Sequence, residues 1–287
     1  LYLRSSLTVR PLDAGALAAP VLRGCRAAVL MSGTLRPTRD YAALLGIRDA
    51  ITREIASPYP RGTRLVLVDQ VISTRYRERS SDLWREVATR VSTALQTMPA
   101  DKSALIAFPS YAVMREVLSY RIDMGFRTAL VERPGSLLEE LADAIAEGPH
   151  AIYCVYGGKF SEGVDLVDSG ASMIDLIIGV GIPFSPPTSY QLALQKWLDA
   201  KFGTGMGYYY AATIPSIRKV AQLIGRLRRS PSDRGVVVLL DYRFMRYLSL
   251  LGEDVYSDLW PYSSVEEMQY AIEQFIRMKG VLHNAMA

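Results

Sequence analysis

Short apolar runs rich in β-branched residues alternate along this chain with segments of helical period, and few folds accept that order. The strand-like runs are Ala27–Met31, Leu65–Asp69, Ala104–Phe108, Ala129–Val131, Ala151–Val155, Met173–Val180 and Val236–Leu240. Several are continuously apolar rather than alternating, as parallel strands covered on both faces must be. Between them the pattern predicts helices over Arg39–Leu45, Asp82–Thr97, Ala112–Met124, Leu137–Ala146, Ser189–Ala200, Ser216–Arg228 and Val265–Lys279. Ser263 and Ser264 supply the cap region of the last one, with Glu266 and Glu267 in its first turn. The expected class is therefore α/β, with a mostly parallel sheet and helices on both faces. Two prolines and a glycine in Ser57–Gly62 interrupt the pattern, which predicts a boundary near residue 57. Residues 1–57 are then an extension or the tail of a preceding domain, and residues 58–287 the main domain. The start lacks an initiator Met and any secretory apolar stretch, which suggests a truncated chain.

Composition narrows the function classes. No run of 18 uninterrupted apolar residues occurs, which argues against a membrane-spanning helix. Two cysteines, Cys25 and Cys154, give no disulfide framework and point to a reducing compartment. His150 and His283 stand alone, so no metal-ligand spacing is present. Basic residues exceed acidic ones by 33 to 29, and only six of the basic residues are Lys. Guanidinium groups suit bidentate phosphate contacts, although so small an excess permits a nucleic-acid partner without arguing for one.

The chemistry concentrates in four segments. The sharpest reads Gln222-Leu-Ile-Gly225-Arg226-Leu-Arg228-Arg229, a QxxGRxxR pattern on the predicted helix. Ile217, Val220, Ala221 and Ile224 form one apolar stripe, and Gln222, Arg226 and Arg229 cluster roughly 150° away from it. Gly225 allows close approach of a ligand or another backbone. Two convergent guanidiniums suit a polyphosphate and can neutralise charge that develops in phosphoryl transfer. Arginines near a helix C-terminus also fit a solvated basic face; the Gln and Gly at fixed spacing favour the phosphate reading. Second, Gly157-Gly158-Lys159-Phe160-Ser161-Glu162-Gly163-Val164-Asp165-Leu166 follows a predicted strand, where open α/β sheets bind ligands. It is not a P-loop, because no Ser or Thr follows the Lys and no Gly stands five residues earlier. Third and fourth are Ser32-Gly33-Thr34-Leu35 and Ala107-Phe108-Pro109-Ser110-Tyr111, each again a polar loop after a predicted strand.

These four segments, in this order, resemble the XPD-type branch of superfamily 2 DNA helicases. SGTL is similar to the family's motif III, FPSY to motif IV, GKFSEGVDL to motif V, and QLIGRLRRSPSDRG with VVVLLDYRF to motif VI and the strand after it. The resemblance spans essentially the whole chain, and the archaeal members look most alike. It implies a RecA-like second motor domain of a P-loop NTPase-like helicase, working on ATP with Mg²⁺ in a cleft shared with a first motor domain. By the same resemblance Arg226 and Arg229 reach the γ-phosphate, and Gln222 with Gly225, Gly163 and Asp165 lines the nucleotide cleft. Ser110, Tyr111, Lys159 and Ser161 then follow the single-stranded DNA path, with Thr34 in a coupling role. Asp241 and Arg243 match a pair that is either structural or close to DNA. No GxxxxGK[ST] and no Asp-Glu dipeptide occurs, and two cysteines cannot hold the family's iron–sulfur cluster. Those parts belong to the family's N-terminal motor, arch and cluster domains. The implied whole is a 5′–3′ DNA helicase of repair, with possible repair-complex proteins as partners and no membrane. It would be cytoplasmic in an archaeal-like cell and nuclear in a eukaryote, and this chain alone would be inactive as an ATPase. A non-catalytic nucleic-acid-binding or partner-binding module is the alternative reading.

Overall fold

A computed structural model describes the backbone of residues 7–162 and 166–284 and the side chains through Met278. The chain divides into two compact units, Leu1–Ile55 with Pro186–Pro215, and Ala56–Ser185 with Ser216–Ala287. The cut falls between Ile55 and Ala56, and Pro186–Pro215 groups with the first unit rather than with its sequence neighbours. Its aromatic content explains the grouping. Leu198, Tyr210 and Ile214 are buried against Tyr41, Leu44 and Trp197, and the hydroxyls of Tyr209 and Tyr210 donate to Asp40 at 3.3 and 3.2 Å.

The first unit is helical. It contains α1 (Ala14–Gly24), α2 (Thr38–Leu44), α7 (Ser189–Phe202) and the short α8 (Met206–Tyr208). A π-helical turn, Tyr209–Thr213, follows. The strand expected over Ala27–Met31 is not formed; Val29 and Met31 are 88% and 90% exposed. Strands need a hydrogen-bonded neighbour, and this unit contains no strand among the described residues.

The second unit carries the sheet. Its strands are β1 (Arg64–Asp69), β2 (Ser103–Phe108), β3 (Thr128–Val131), β4 (His150–Val155), β7 (Ile174–Val180), β8 (Gly235–Leu240) and β9 (Leu259–Tyr262). They run parallel in the order β3-β4-β2-β7-β8-β1-β9. A small antiparallel hairpin, β5 (Val167–Asp168) and β6 (Ala171–Ser172), precedes β7. The helices are α3 (Ser81–Thr97), α4 (Tyr111–Leu118), α5 (Leu138–Glu147), α6 (Lys159–Glu162), α9 (Ile214–Ile224), α10 (Leu248–Leu251), α11 (Glu253–Ser257) and α12 (Val265–Asn284).

Strand alternation sends side chains to opposite faces, and both faces are covered. Leu67, Ile106, Phe108, Tyr153 and Leu176 pack with Val87, Val91, Leu95, Val113 and Met268 of α3, α4 and α12. Val66, Leu105, Ile152, Ile177 and Val237 pack with Ile145, Ile217, Val220, Leu223 and Phe244 on the other side. This two-sided burial is why the strands read as unbroken apolar runs. Because all seven are parallel, their C-terminal ends share one edge; the segments after β1, β2, β3 and β4 lie on it, whereas Gln222–Arg229 precedes β8.

Candidate functional site

The site starts where β3 ends. Glu132, the first residue past that strand, is 2% exposed. Its carboxylate accepts from the Val155 N–H at 3.0 Å and from the Phe160 N–H at 3.4 Å. It therefore ties the end of β4 to the start of α6 and fixes the Gly157-Gly158 turn between them. Gly157 has a φ of +73°, and a Cβ on Gly158 would lie 2.5 Å from the Glu132 Oε2. Only glycine fits both requirements together. The same carboxylate also meets Tyr111 at the start of α4. Burial first, and then the Glu132 charge and its hydrogen bond, push the Tyr111 phenol above its ordinary value. One buried acid thus connects the turn after β2 with the turn after β4.

The QLIGRLRR segment differs from its expected geometry. Ile217, Val220 and Ile224 are buried as the stripe predicted, but α9 ends at Ile224. Gly225, the poorest helix former of the run, begins a turn in which the N–H groups of Arg226 and Leu227 donate to Leu223 and Ile224 at 3.0 and 3.2 Å. Gln222 is therefore on the helix while Arg226 and Arg229 lie beyond it, so the shared helical face is replaced by a pinned turn. The Ser172 hydroxyl donates to the Arg226 carbonyl at 3.0 Å. The Asp233 carboxylate accepts from the N–H groups of Ser172, Arg229 and Ser230 at 3.0, 2.7 and 2.7 Å. Burial works to raise Asp233, yet those three donors hold its pKa below the usual carboxylate value. Leu227 is fully buried and anchors the turn in the core.

The arginines then separate. Arg226 is 8% exposed. Burial and then Glu132 push the Cys154 thiol up, while the Arg226 guanidinium acts on it in the opposite sense. The Arg226 backbone itself lies beside Ser172, just before β7. Arg228 is structural. Its guanidinium donates to Thr63 at 3.2 Å, pairs with Asp254 at 3.3 Å and lies over the Tyr59 ring at 4.8 Å. Arg229 and Gln222 are exposed, as is Gly225, whose missing side chain crowds nothing but its own helix carbonyls at 3.4 Å.

The other expected site residues fall out as follows. Gly163 and Asp165 lie outside the described residues. Lys159 is exposed at the first position of α6. Ser161 is 3% exposed and its hydroxyl donates to the Gly158 carbonyl at 3.0 Å. It shapes the turn rather than presenting a group for DNA, a correction that follows from its burial. Ser110 caps α4 by accepting from the Val113 N–H at 3.3 Å, and Tyr111 is half-buried. Asp241 and Arg243 form an internal ion pair at 2.6 Å, with Asp241 fully buried. The Thr74 N–H and hydroxyl donate to the same Asp241 oxygen at 2.9 and 2.8 Å. The pair is thus an internal ion pair that also holds the start of the segment after β1. Thr34 belongs to the other compact unit, in a turn where its N–H donates to the Ser32 hydroxyl at 3.2 Å.

Sequence reasoning missed Glu132, Asp233, Ser172 and Lys219. The Lys219 ammonium of α9 lies 3.3 Å from where a Gly157 Cβ would be, adding a second cation beside Lys159 at that turn. Glu132 had one findable signal, its place directly after a parallel strand. Among the described residues no group of three or more His, Cys, Asp or Glu could hold a metal ion. The thiols of Cys25, exposed, and Cys154, buried, do not fit a four-thiolate cluster.

A seven-stranded parallel sheet covered by helices on both faces, with a glycine-bearing turn after β4 and a pinned arginine-bearing turn before β8, defines a RecA-like α/β domain. Residues 93–255, more than half of the chain, match the helicase C-terminal domain family, and the chain belongs to it. Within that family it is XPD-like. It is 30% identical over 222 residues to the ATP-dependent DNA helicase XPD of Sulfolobus acidocaldarius, a match covering 75% of this chain and 39% of that protein. It is 28% identical over 261 residues to the general transcription and DNA repair factor IIH helicase subunit XPD/RAD3 of Saccharomyces cerevisiae, covering 84% and 33%. A solved XPD helicase structure shares the fold with a TM-score of 0.70 at 24% identity, covering 88% of this chain and 45% of that one. An apo XPD structure gives 0.66 at 25% identity, with 88% and 52% covered. The chain thus spans about two fifths or less of these two curated relatives.

Proposed function

We propose that this chain is the ATP-responsive second motor domain of a DNA helicase acting in repair, with 5′–3′ polarity. The observation that carries this reading is the buried Arg226, whose backbone is held in a turn fixed by Ser172 and Asp233. A guanidinium carried on a backbone fixed in this way starts from a defined place when charge develops on a transferred phosphoryl group. Arg229 is the second, more exposed cation of the same turn, and Gln222 orients the nucleotide from the last turn of α9. Gly163 and Asp165 belong to the same cleft on the family pattern. Lys159 contacts the backbone of single-stranded DNA at the edge of the Gly157-Gly158 turn, and Tyr111 with Ser110 follows the strand from the neighbouring loop.

ATP is the substrate, and its Mg²⁺ and β,γ-phosphates are held by a phosphate-binding loop that this chain does not contain. That loop, the arch and the iron–sulfur domain are supplied by an N-terminal motor half. Repair-complex proteins are the expected partners, in the cytoplasm of an archaeal-like cell or the nucleus of a eukaryotic one. The test is ATP turnover by the chain alone and after addition of an XPD-type N-terminal half. No turnover alone and DNA-stimulated turnover in the mixture is the expected pair of results. Turnover by the chain alone contradicts the division of labour. A mixture that binds DNA yet never hydrolyses ATP favours the non-catalytic module.

A further inference from the structure

Apart from Thr74, which holds Asp241, the segment that follows β1, Thr74-Arg75-Tyr76-Arg77-Glu78-Arg79, has no part in the site described above. It sits on the same C-terminal edge of the sheet, because β1 is parallel to β2 and β4. Four gaps between neighbouring strands separate β1 from β4, the strand before Lys159, which is roughly 19 Å at the usual strand spacing and a span of a few nucleotides.

The segment is rigidly built. Thr74 is held at its base by the buried Asp241 carboxylate. The Arg79 Nε closes a loop by donating to the Thr74 carbonyl at 3.1 Å. Residues Tyr76–Glu78 form a 3₁₀ turn between these two anchors. What the turn presents is aromatic and cationic. Tyr76 is 84% exposed. The Arg79 guanidinium lies over the Tyr76 ring at 5.5 Å and over the Trp84 ring at 5.8 Å, and Arg75 lies over Tyr242 at 5.9 Å.

Charge is only partly compensated. Three arginines face one acid, Glu78, which takes Arg75 at 3.6 Å. Arg77 is exposed and pairs with no carboxylate among the described residues. Asp82, in the first turn of α3, is held by Arg85 at 2.8 Å. Burial, and then the neighbouring Arg243 cation, press the Arg79 guanidinium below its ordinary value, as expected where positive charge accumulates.

We infer that the Arg75–Arg79 turn is a further contact strip for single-stranded nucleic acid, in which Tyr76 stacks on a base and Arg77 with Arg79 takes backbone phosphates. This deepens the helicase reading and rests on it: the strand held at Lys159 would continue across the sheet edge to this turn. An exposed ring backed by a guanidinium is the arrangement that sequence-tolerant single-strand binding uses.

The experiment is binding of a fluorescently labelled oligothymidine to the chain by anisotropy, over a salt series. The variants are Tyr76→Ala, Tyr76→Phe, Arg77→Ala and Lys159→Ala, all at exposed positions, with circular dichroism reporting the fold. Tyr76→Ala should weaken binding about tenfold or more, and Tyr76→Phe should retain it, because stacking needs the ring and not the hydroxyl. Arg77→Ala should lower the salt slope by about 0.7. If Tyr76→Ala and Arg77→Ala bind like wild type while Lys159→Ala is weakened, the strip is refuted and the helicase reading stands. If the wild-type chain takes an acidic peptide but not oligothymidine, both fall.

Discussion

Replacing Glu132 with alanine should destabilise the sheet-bearing unit, and the size of the loss can be worked from its bonds. The substitution leaves the buried N–H groups of Val155 and Phe160 without an acceptor. An unsatisfied buried donor costs about 1–3 kcal/mol. The 3.0 Å bond to Val155 counts near the middle of that range and the 3.4 Å bond to Phe160 near its low end. The sum is a loss of about 2–4 kcal/mol. Glu132→Gln should cost less, since its amide oxygen can still serve one of the two donors. Equilibrium urea unfolding followed by far-ultraviolet circular dichroism measures the difference, with exposed Glu147→Ala as a control expected within about 0.5 kcal/mol of wild type. A Glu132→Ala protein as stable as that control would refute the idea that this carboxylate holds the turn together.

Two further outcomes follow from the same geometry. Gly158→Ala should be strongly destabilising in the wild-type chain, where the new methyl would lie 2.5 Å from the Glu132 Oε2, and much less so in a Glu132→Ala background. Additive losses in that double-mutant cycle would contradict the contact. Asp175, buried at the start of β7, has its pKa raised from 3.8 to about 7, by burial first and against the opposing pull of Arg127. The folded state therefore resists ionisation that the unfolded chain accepts. Stability should fall as pH rises from about 4 to about 7, by roughly 4 kcal/mol at most. Asp175→Asn should flatten that dependence, and an unchanged pH profile in the variant would refute it.

Much of the sheet was legible because parallel strands buried on both faces must be apolar at every position. Six of the seven expected strands form, five of them buried on both faces and the sixth, β3, at the sheet edge. Ala27–Met31 has the same composition, yet no strand pairs with it, and pairing is a property of neighbours rather than of the segment itself. β9, Leu-Trp-Pro-Tyr, was missed because it is short, contains a proline and lies at the sheet edge, where one face stays exposed. The helix expected to run to Met124 stops at Leu118, where the Ser119 N–H turns back to the Arg115 and Glu116 carbonyls. At the site, the periodicity of Ile217, Val220 and Ile224 was readable. The helix end at Ile224 had a local signal in Gly225, but the pinning of the turn beyond it by Ser172, 54 residues away, did not. The same holds for Glu132, whose partners are 23 and 28 residues away.

The most direct measurement of the central claim is ATP turnover by Arg226→Ala in a protein containing both motor halves. Loss of a transition-state guanidinium should lower kcat by about 1,000-fold or more, with nucleotide affinity much less affected and Arg226→Lys recovering only part of the loss. Circular dichroism and DNA binding like wild type would show that the turn still folds. A folded Arg226→Ala protein that hydrolyses ATP at close to the wild-type rate would contradict the role given to this residue and, with it, the motor reading of the site.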